Sequence, residues 1–129
     1  MADQDAWERD ARYAFGIYAG GDLVGRISLD NIVRGAWQNA TIGYFVDESH
    51  NGHGIGTIAV RNAVAFGFEE IRLHRLQAGV MPRNVASIRI LEKVGFRYEG
   101  TSPRYLQINS VWEDHNMYAI TSEEWSEAT

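Results

Sequence analysis

Three glycines at every second residue, Gly52, Gly54 and Gly56, stand where a strand gives way to a helix, and that junction constrains the fold more than any other stretch. Before it, Thr41-Ile42-Gly43-Tyr44-Phe45-Val46 is rich in β-formers; after it, Ile55, Ala59, Val60, Ala63, Val64 and Gly67 recur at helical spacing. The glycines therefore open a helix. Unpaired backbone N–H groups and the positive end of the helix dipole favour phosphate there, and residues without a Cβ let it approach. A glycine turn of this kind is elsewhere only a tight connection, but the repeat over Asn51-Gly52-His53-Gly54-Ile55-Gly56 weighs towards an anion cradle. A Walker A loop would close on Gly-Lys-Ser/Thr, and Thr57 follows Gly56 with no lysine between. Gly54-Ile55-Gly56-Thr57-Ile58-Ala59 fits G-x-G-x-x-G/A, yet Asp47 to His53 separate it from its strand, and Leu76 to Met81 ends without a ribose-binding acid. A dinucleotide fold is a poor second.

The 129 residues fit one domain, 1–129, and with 45% apolar residues, four Trp, six Tyr and five Phe they can build a core. No apolar run approaches the ~20 residues of a membrane span, and Met1-Ala2-Asp3-Gln4-Asp5 lacks the features of a signal peptide. A cytoplasmic protein with no membrane partner is expected. The absence of cysteine excludes disulfides, thiolate catalysis and Cys-based zinc sites, and His50, His53, His74 and His115 show no ligand spacing, so no metal is expected. A net charge of −5 argues against nucleic acid, whose phosphates are met by clustered Lys and Arg, and suits a cationic acceptor better.

The rest of the chain reads as a meander. Tyr13 to Ala19 alternates like a strand, Gly20-Gly21-Asp22 signals a hairpin into Leu23 to Leu29, and Gly35 to Asn39 turns into the strand ending at Val46. The helix after the cradle is predicted to run to about Glu69, and Leu76 to Met81 is a strand. Asn84 then caps a helix whose apolar positions include Ile88, Leu91 and Val94, with Gly95 as its left-handed end. Two final strands are expected, one from Phe96 to Glu99 with Tyr105 to Ile108, the other over Trp112 to Ile120.

In order and spacing, five motifs carry a resemblance: Gly43-Tyr44-Phe45-Val46 before Asn51-x-x-Gly54-x-Gly56; Ala65-Phe66-Gly67-Phe68; Asn84-Val85-Ala86-Ser87; Leu91-Glu92-Lys93-Val94-Gly95-Phe96-Arg97-Tyr98-Glu99-Gly100; and Asp114 with Tyr118-Ala119-Ile120 before Glu124-Trp125. Together, from about Tyr13 to Trp125, they resemble the GNAT superfamily of N-acetyltransferases, and within it the branch that acetylates N-terminal alanine or serine of ribosomal proteins. The resemblance implies an α+β fold, a mixed and mostly antiparallel sheet with a central splay between two strands, flanked by two helices. It implies acetyl-CoA as co-substrate, its pyrophosphate held by the loop Asn51, Gly52, His53, Gly54, Ile55, Gly56 and Thr57, and its thioester carbonyl bound by backbone around Phe45 and Val46. The side chains of Phe45 and Val46 are expected in the strand core.

Asn84 resembles the family asparagine that touches the pantetheine arm, a role compatible with capping. Ser87, at the same helix entrance, could donate a proton to the departing thiolate or simply bond backbone. The tyrosine that many members carry as the acid is replaced by Leu91, and the glutamate base of other members by Ala40. The general base is thus unassigned, and Asp114, Glu99 and Asp47 are candidates for amine contact beside their plainer reading as solvated or structural carboxylates. His53 and Arg83 are candidates for phosphate contact. Trp37, Trp112 and Tyr44 could line an acceptor pocket, though core packing is the expectation for aromatics in strands.

Family members begin with a strand and helices before the strand placed here at Tyr13. The chain is accordingly expected to be shortened on that side, with an apolar face open to a partner copy and a homo-oligomer, first of all a dimer, as the result. Two functions follow: an N-acetyltransferase acting on a primary amine of a small molecule or peptide, or a non-catalytic acyl-CoA-binding or interaction module derived from an acetyltransferase.

Overall fold

The computed structural model describes Trp7, residues 9–50 and residues 54–128. Six strands form one sheet, β1 (Tyr13–Ala19), β2 (Asp22–Val33), β3 (Asn39–Val46), β4 (Arg75–Val80), β5 (Arg97–Ile108) and β6 (Val111–Thr121), in the order β1-β2-β3-β4-β6-β5. Every neighbouring pair is antiparallel except β3 with β4. The β1–β2 hairpin turns on Gly20 and Gly21, at φ 58° and 90°, the double positive φ that a two-residue turn demands.

Helix α1 (Ile55–Ala65) continues into a wider π turn over Phe66–Glu70, closed by the Ile71 N–H on the Phe66 carbonyl at 3.2 Å. The turn carries Gly67 against Leu29 and Leu76, where a Cβ would stand 3.2–3.3 Å from their methyl groups. Helix α2 (Val85–Val94) starts and stops as its sequence predicts. Asn84 caps it, and Gly95 at φ 114° ends it, with the Gly95 N–H reaching the Leu91 and Glu92 carbonyls and the Phe96 N–H the Leu91 carbonyl.

The core lies between the sheet and these helices, around Leu29, Ile42, Val60, Val64, Leu76, Leu91 and Ile120. The α+β fold and mostly antiparallel sheet expected from sequence are present, with two differences. The two pieces expected from Phe96 to Ile108 are one strand, Arg97–Ile108, broken by bulges at Tyr98/Gly100 and Ser102/Leu106, Gly100 and Arg104 taking positive φ there. A third helix, α3 (Ser122–Ala128), follows β6 and packs Trp125 near Phe68, rings 6.4 Å apart, while its indole N–H donates to Glu69 at 3.1 Å.

Candidate active site

The parallel pairing of β3 with β4 covers only Asn39↔Arg75, Ala40↔Leu76 and Thr41↔Gln77. Beyond Thr41 the two strands part, so the expected central splay is present. On its other side β3 stays paired to β2 as far as Val46, and the Asp47 N–H then donates to the Val24 carbonyl at 2.7 Å. Peptide groups alternate along a strand, so those of Asp47 and Phe45 face β2 while those of Tyr44 and Val46 face the gap. Gly25 agrees: a Cβ there would run into the Phe45 carbonyl oxygen from the β2 side. Of the two residues given the thioester carbonyl from sequence, Val46 therefore has the free N–H, and Phe45 only borders it.

Their side chains divide as well. Val46 packs against the core, but Phe45 is 57% exposed, which corrects its assignment to the core. It stands on the far side of the sheet, where Phe45, Gly43, Ser28, Arg26 and Arg12 border a hollow of about 290 Å³. Arg12 and Ser28 both bond Asp30 there, at 2.5 and 2.8 Å.

At the open end of the splay, α1 begins on Gly54 in the left-handed region at φ 77°, with no side chain among the described residues capping its first N–H groups. The Ile58 N–H reaches the Gly54 carbonyl at 3.1 Å, so the donors of Ile55, Gly56 and Thr57 precede the helical ladder. Such a terminus suits a phosphate. Gly56 lacks a Cβ for another reason: one would lie 2.7 Å from Ile90 Cδ1, so this glycine lets α1 close on α2. Asn51, Gly52 and His53 lie outside the described residues.

Asn84 and Ser87 meet across the first turn of α2, the Ser87 N–H donating to Asn84 Oδ1 at 3.2 Å. The sequence reading missed what faces them. Tyr44, from the splayed half of β3, places its phenol oxygen 2.6 Å from Ser87 Oγ and 3.3 Å from the Ser87 carbonyl. Burial holds its phenol above the usual tyrosine range, partly offset by the bond to Ser87, so it is a protonated hydroxyl near neutral pH. The signal was present in the alternation: Tyr44 shares a face with Ile42 and Val46, the face on which the helices pack.

The other expected contacts are otherwise engaged. Glu99 is gripped by Arg75 at 2.7 Å and by Arg97, which hold its carboxyl down to about 2. Asp114 accepts the Arg104 N–H at 2.9 Å, and Arg83 pairs with Glu113 at 2.8 Å. Asp47 stays exposed at the end of β3. Trp37 and Trp112 are 48% and 58% exposed, against the expectation of core packing, because Trp37 rides the β2–β3 turn and Trp112 the β5–β6 hairpin end. Among the described residues no group of three His, Asp or Glu side chains could hold a metal, and no helix is long and apolar enough to cross a membrane. An apolar groove of about 450 Å³ opens between β1 and α1, lined by Phe15, Ile17, Tyr18, Ile55, Ile58 and Phe66.

The chain itself matches a family model, the acetyltransferase (GNAT) domain, over residues 1–97. The chain belongs to the GNAT acetyltransferase family. Among GNAT proteins it is 53% identical over 119 residues to the probable N-acetyltransferase YjcK of Bacillus subtilis, covering 91% of this chain and 66% of the relative. It is 30% identical over 105 residues to the ribosomal protein uS5-alanine N-acetyltransferase of Escherichia coli, covering 81% and 54%. A solved GNAT structure, Mycobacterium smegmatis RimJ in complex with CoA-disulfide, superposes with a TM-score of 0.92 at 37% identity, covering 95% of this chain and 59% of that one. The chain thus spans about two-thirds or less of the length of these relatives.

Proposed function

We propose that this chain transfers an acetyl group from acetyl-CoA to a primary amine, a protein N-terminus or a small amine, by direct attack. The observation that carries the reading is the parting of β3 from β4 after Thr41, directly before the uncapped N-terminus of α1. The residues present fit the coenzyme: the first N–H groups of α1 would hold its diphosphate, together with the loop Asn51 to His53, and Val46 and Asn84 would hold the pantetheine arm. Acetyl-CoA supplies an activated thioester. The Val46 N–H, facing the gap, would meet the thioester oxygen as its negative charge develops, a fixed dipole that acyl transfer rewards. Ser87 would donate a proton to the leaving sulfur. With Glu99 tied to two arginines and Asp114 to a backbone amide, the amine proton leaves through water or Asp47.

The name of the Escherichia coli relative makes a peptide beginning with alanine the first acceptor to try. The test is thiol release from acetyl-CoA with a panel of such peptides, polyamines and aminoglycosides, beside calorimetry with acetyl-CoA alone. Turnover with any amine supports transfer. Tight binding with no thiol release across the panel supports the non-catalytic acyl-CoA-binding module instead.

A further inference from the structure

We propose that Tyr44 is a positioning residue for Ser87, a two-hydroxyl arrangement that keeps the serine proton available to the departing sulfur. The inference rests on the transfer reading above and extends it to a residue outside the coenzyme cradle.

The geometry carries it. Tyr44 stands on β3 in its splayed half, and Ser87 stands one turn into α2, so their bond joins the strand that lines the gap to the helix that closes it. The Tyr44 oxygen lies within reach of two acceptors on one residue, Oγ at 2.6 Å and the backbone carbonyl at 3.3 Å. A lone serine in the first turn of a helix tends to spend its proton on nearby backbone. Either hydroxyl of the pair can donate, and we assign that part to the phenol: donating to Ser87 Oγ, it occupies one of the serine's lone pairs and leaves the serine's own O–H free to turn elsewhere. The phenol's confinement between sheet and helix also keeps it a donor rather than a phenolate, since burial disfavours the charged form.

The proton balance is closed. As the amine nitrogen bonds the carbonyl carbon and the C–S bond breaks, the sulfur takes the Ser87 proton. The proton that the amine surrenders to water returns to Ser87 Oγ, while Tyr44 keeps its own proton and only holds the serine oxygen in place across the 2.6 Å bond.

The experiment compares wild type, Tyr44→Phe, Ser87→Ala and the double variant in steady-state acetyl transfer, with acetyl-CoA binding measured by calorimetry and folding by thermal melts. Tyr44→Phe is expected to lower kcat roughly three- to tenfold, the value of one hydrogen bond, with acetyl-CoA affinity within about twofold of wild type. The double variant is expected to be no slower than Ser87→Ala, because Tyr44 acts only through the serine. An active wild type whose Tyr44→Phe variant retains full kcat overturns the inference alone, as does a double variant slower by the product of the two single effects. A wild type that binds acetyl-CoA but turns over no amine overturns the transfer reading and the inference with it. If Tyr44→Phe melts far below wild type, Tyr44→Trp, which keeps a donor at the ring edge, must recover part of kcat, and its failure to do so also overturns the inference.

Discussion

Gly54 allows the cradle to be tested by charge alone. Among the described residues a Cβ at this position would meet nothing within 4 Å, so a side chain starts into open space. The backbone is the other constraint: at φ 77° an L-residue is strained by ~1 kcal/mol, and Asn and Asp are the residues that tolerate it best. Gly54→Asn and Gly54→Asp are therefore nearly equal in shape and in folding cost, and differ by one negative charge at the mouth of the helix. Against a phosphate held on the N–H groups of residues 55–57 at about 5 Å, that charge is worth ~1–3 kcal/mol between water-like and protein-like screening, a five- to 150-fold loss. Calorimetry with acetyl-CoA should place Gly54→Asn within a few fold of wild type and Gly54→Asp at least tenfold weaker. The gap between them should narrow from 50 mM to 500 mM salt as screening shortens. Equal affinities of the two variants, at equal melting temperatures, would refute the cradle.

Three further outcomes follow from the same contacts. Glu99 falls from an ordinary 4.5 to about 2 beside Arg75 and Arg97, ~3.4 kcal/mol at full strength and about 1–2 kcal/mol after solvent screening of a carboxylate 30% exposed. Because the folded value is the lower one, this stability is present above pH 4.5 and lost as pH falls through about 2; Glu99→Gln should melt roughly 3–8 °C below wild type at pH 7, and the difference should shrink below pH 4.5 and vanish only below about pH 2. Asn84→Asp should keep the cap and the melting temperature yet weaken acetyl-CoA binding, whereas Asn84→Ala should lose both, with about 1 kcal/mol of stability, in paired melts and calorimetry. In amide hydrogen exchange, the Val46 N–H should exchange freely in the apo protein and slow at least about tenfold with saturating acetyl-CoA, while Phe45, turned towards β2, stays protected throughout.

The elements that could be read from sequence are those whose signal is local. Asn84 and Gly95 bracket α2 because a cap and a left-handed end need particular residues, and Gly20-Gly21 turns the first hairpin for the same reason. Helix α3 was legible too and went unread. Thr121 and Glu124 form a reciprocal box, with the Thr121 N–H and hydroxyl donating to Glu124 Oε1 at 2.9 Å and the Glu124 N–H returning to Thr121 Oγ1 at 3.4 Å, and Thr-x-x-Glu is its sequence sign. What stayed hidden joins residues far apart in the chain. Nothing near Glu99 announces Arg75, 24 residues away, and nothing near Ser87 announces Tyr44, 43 residues away. Gly56 shows a subtler limit: the pattern that suggested phosphate access there also serves the packing of α1 on Ile90.

That packing bears on why the sheet opens at all. A parallel pair left unpaired beyond Thr41 forfeits ladder hydrogen bonds, and exposed peptide groups at a strand edge are costly unless something else occupies the strand. β3 is held in the splayed position from the helix side. Tyr44 is bonded to the first turn of α2, Val46 Cγ2 comes within 3.8 Å of where a Gly56 Cβ would stand, and Gly56 itself closes on Ile90 of α2. The helix that presents the uncapped N–H groups and the helix that presents Ser87 are thus locked together and to β3, while β4 stays anchored to β6 along Arg75 to Val80. The gap is consequently a fixed feature of the packing rather than a frayed edge. Its peptide group at Val46, its helix end and its serine all belong to parts packed on one another, and under the proposed transfer that packing would supply the preorganisation acyl chemistry needs.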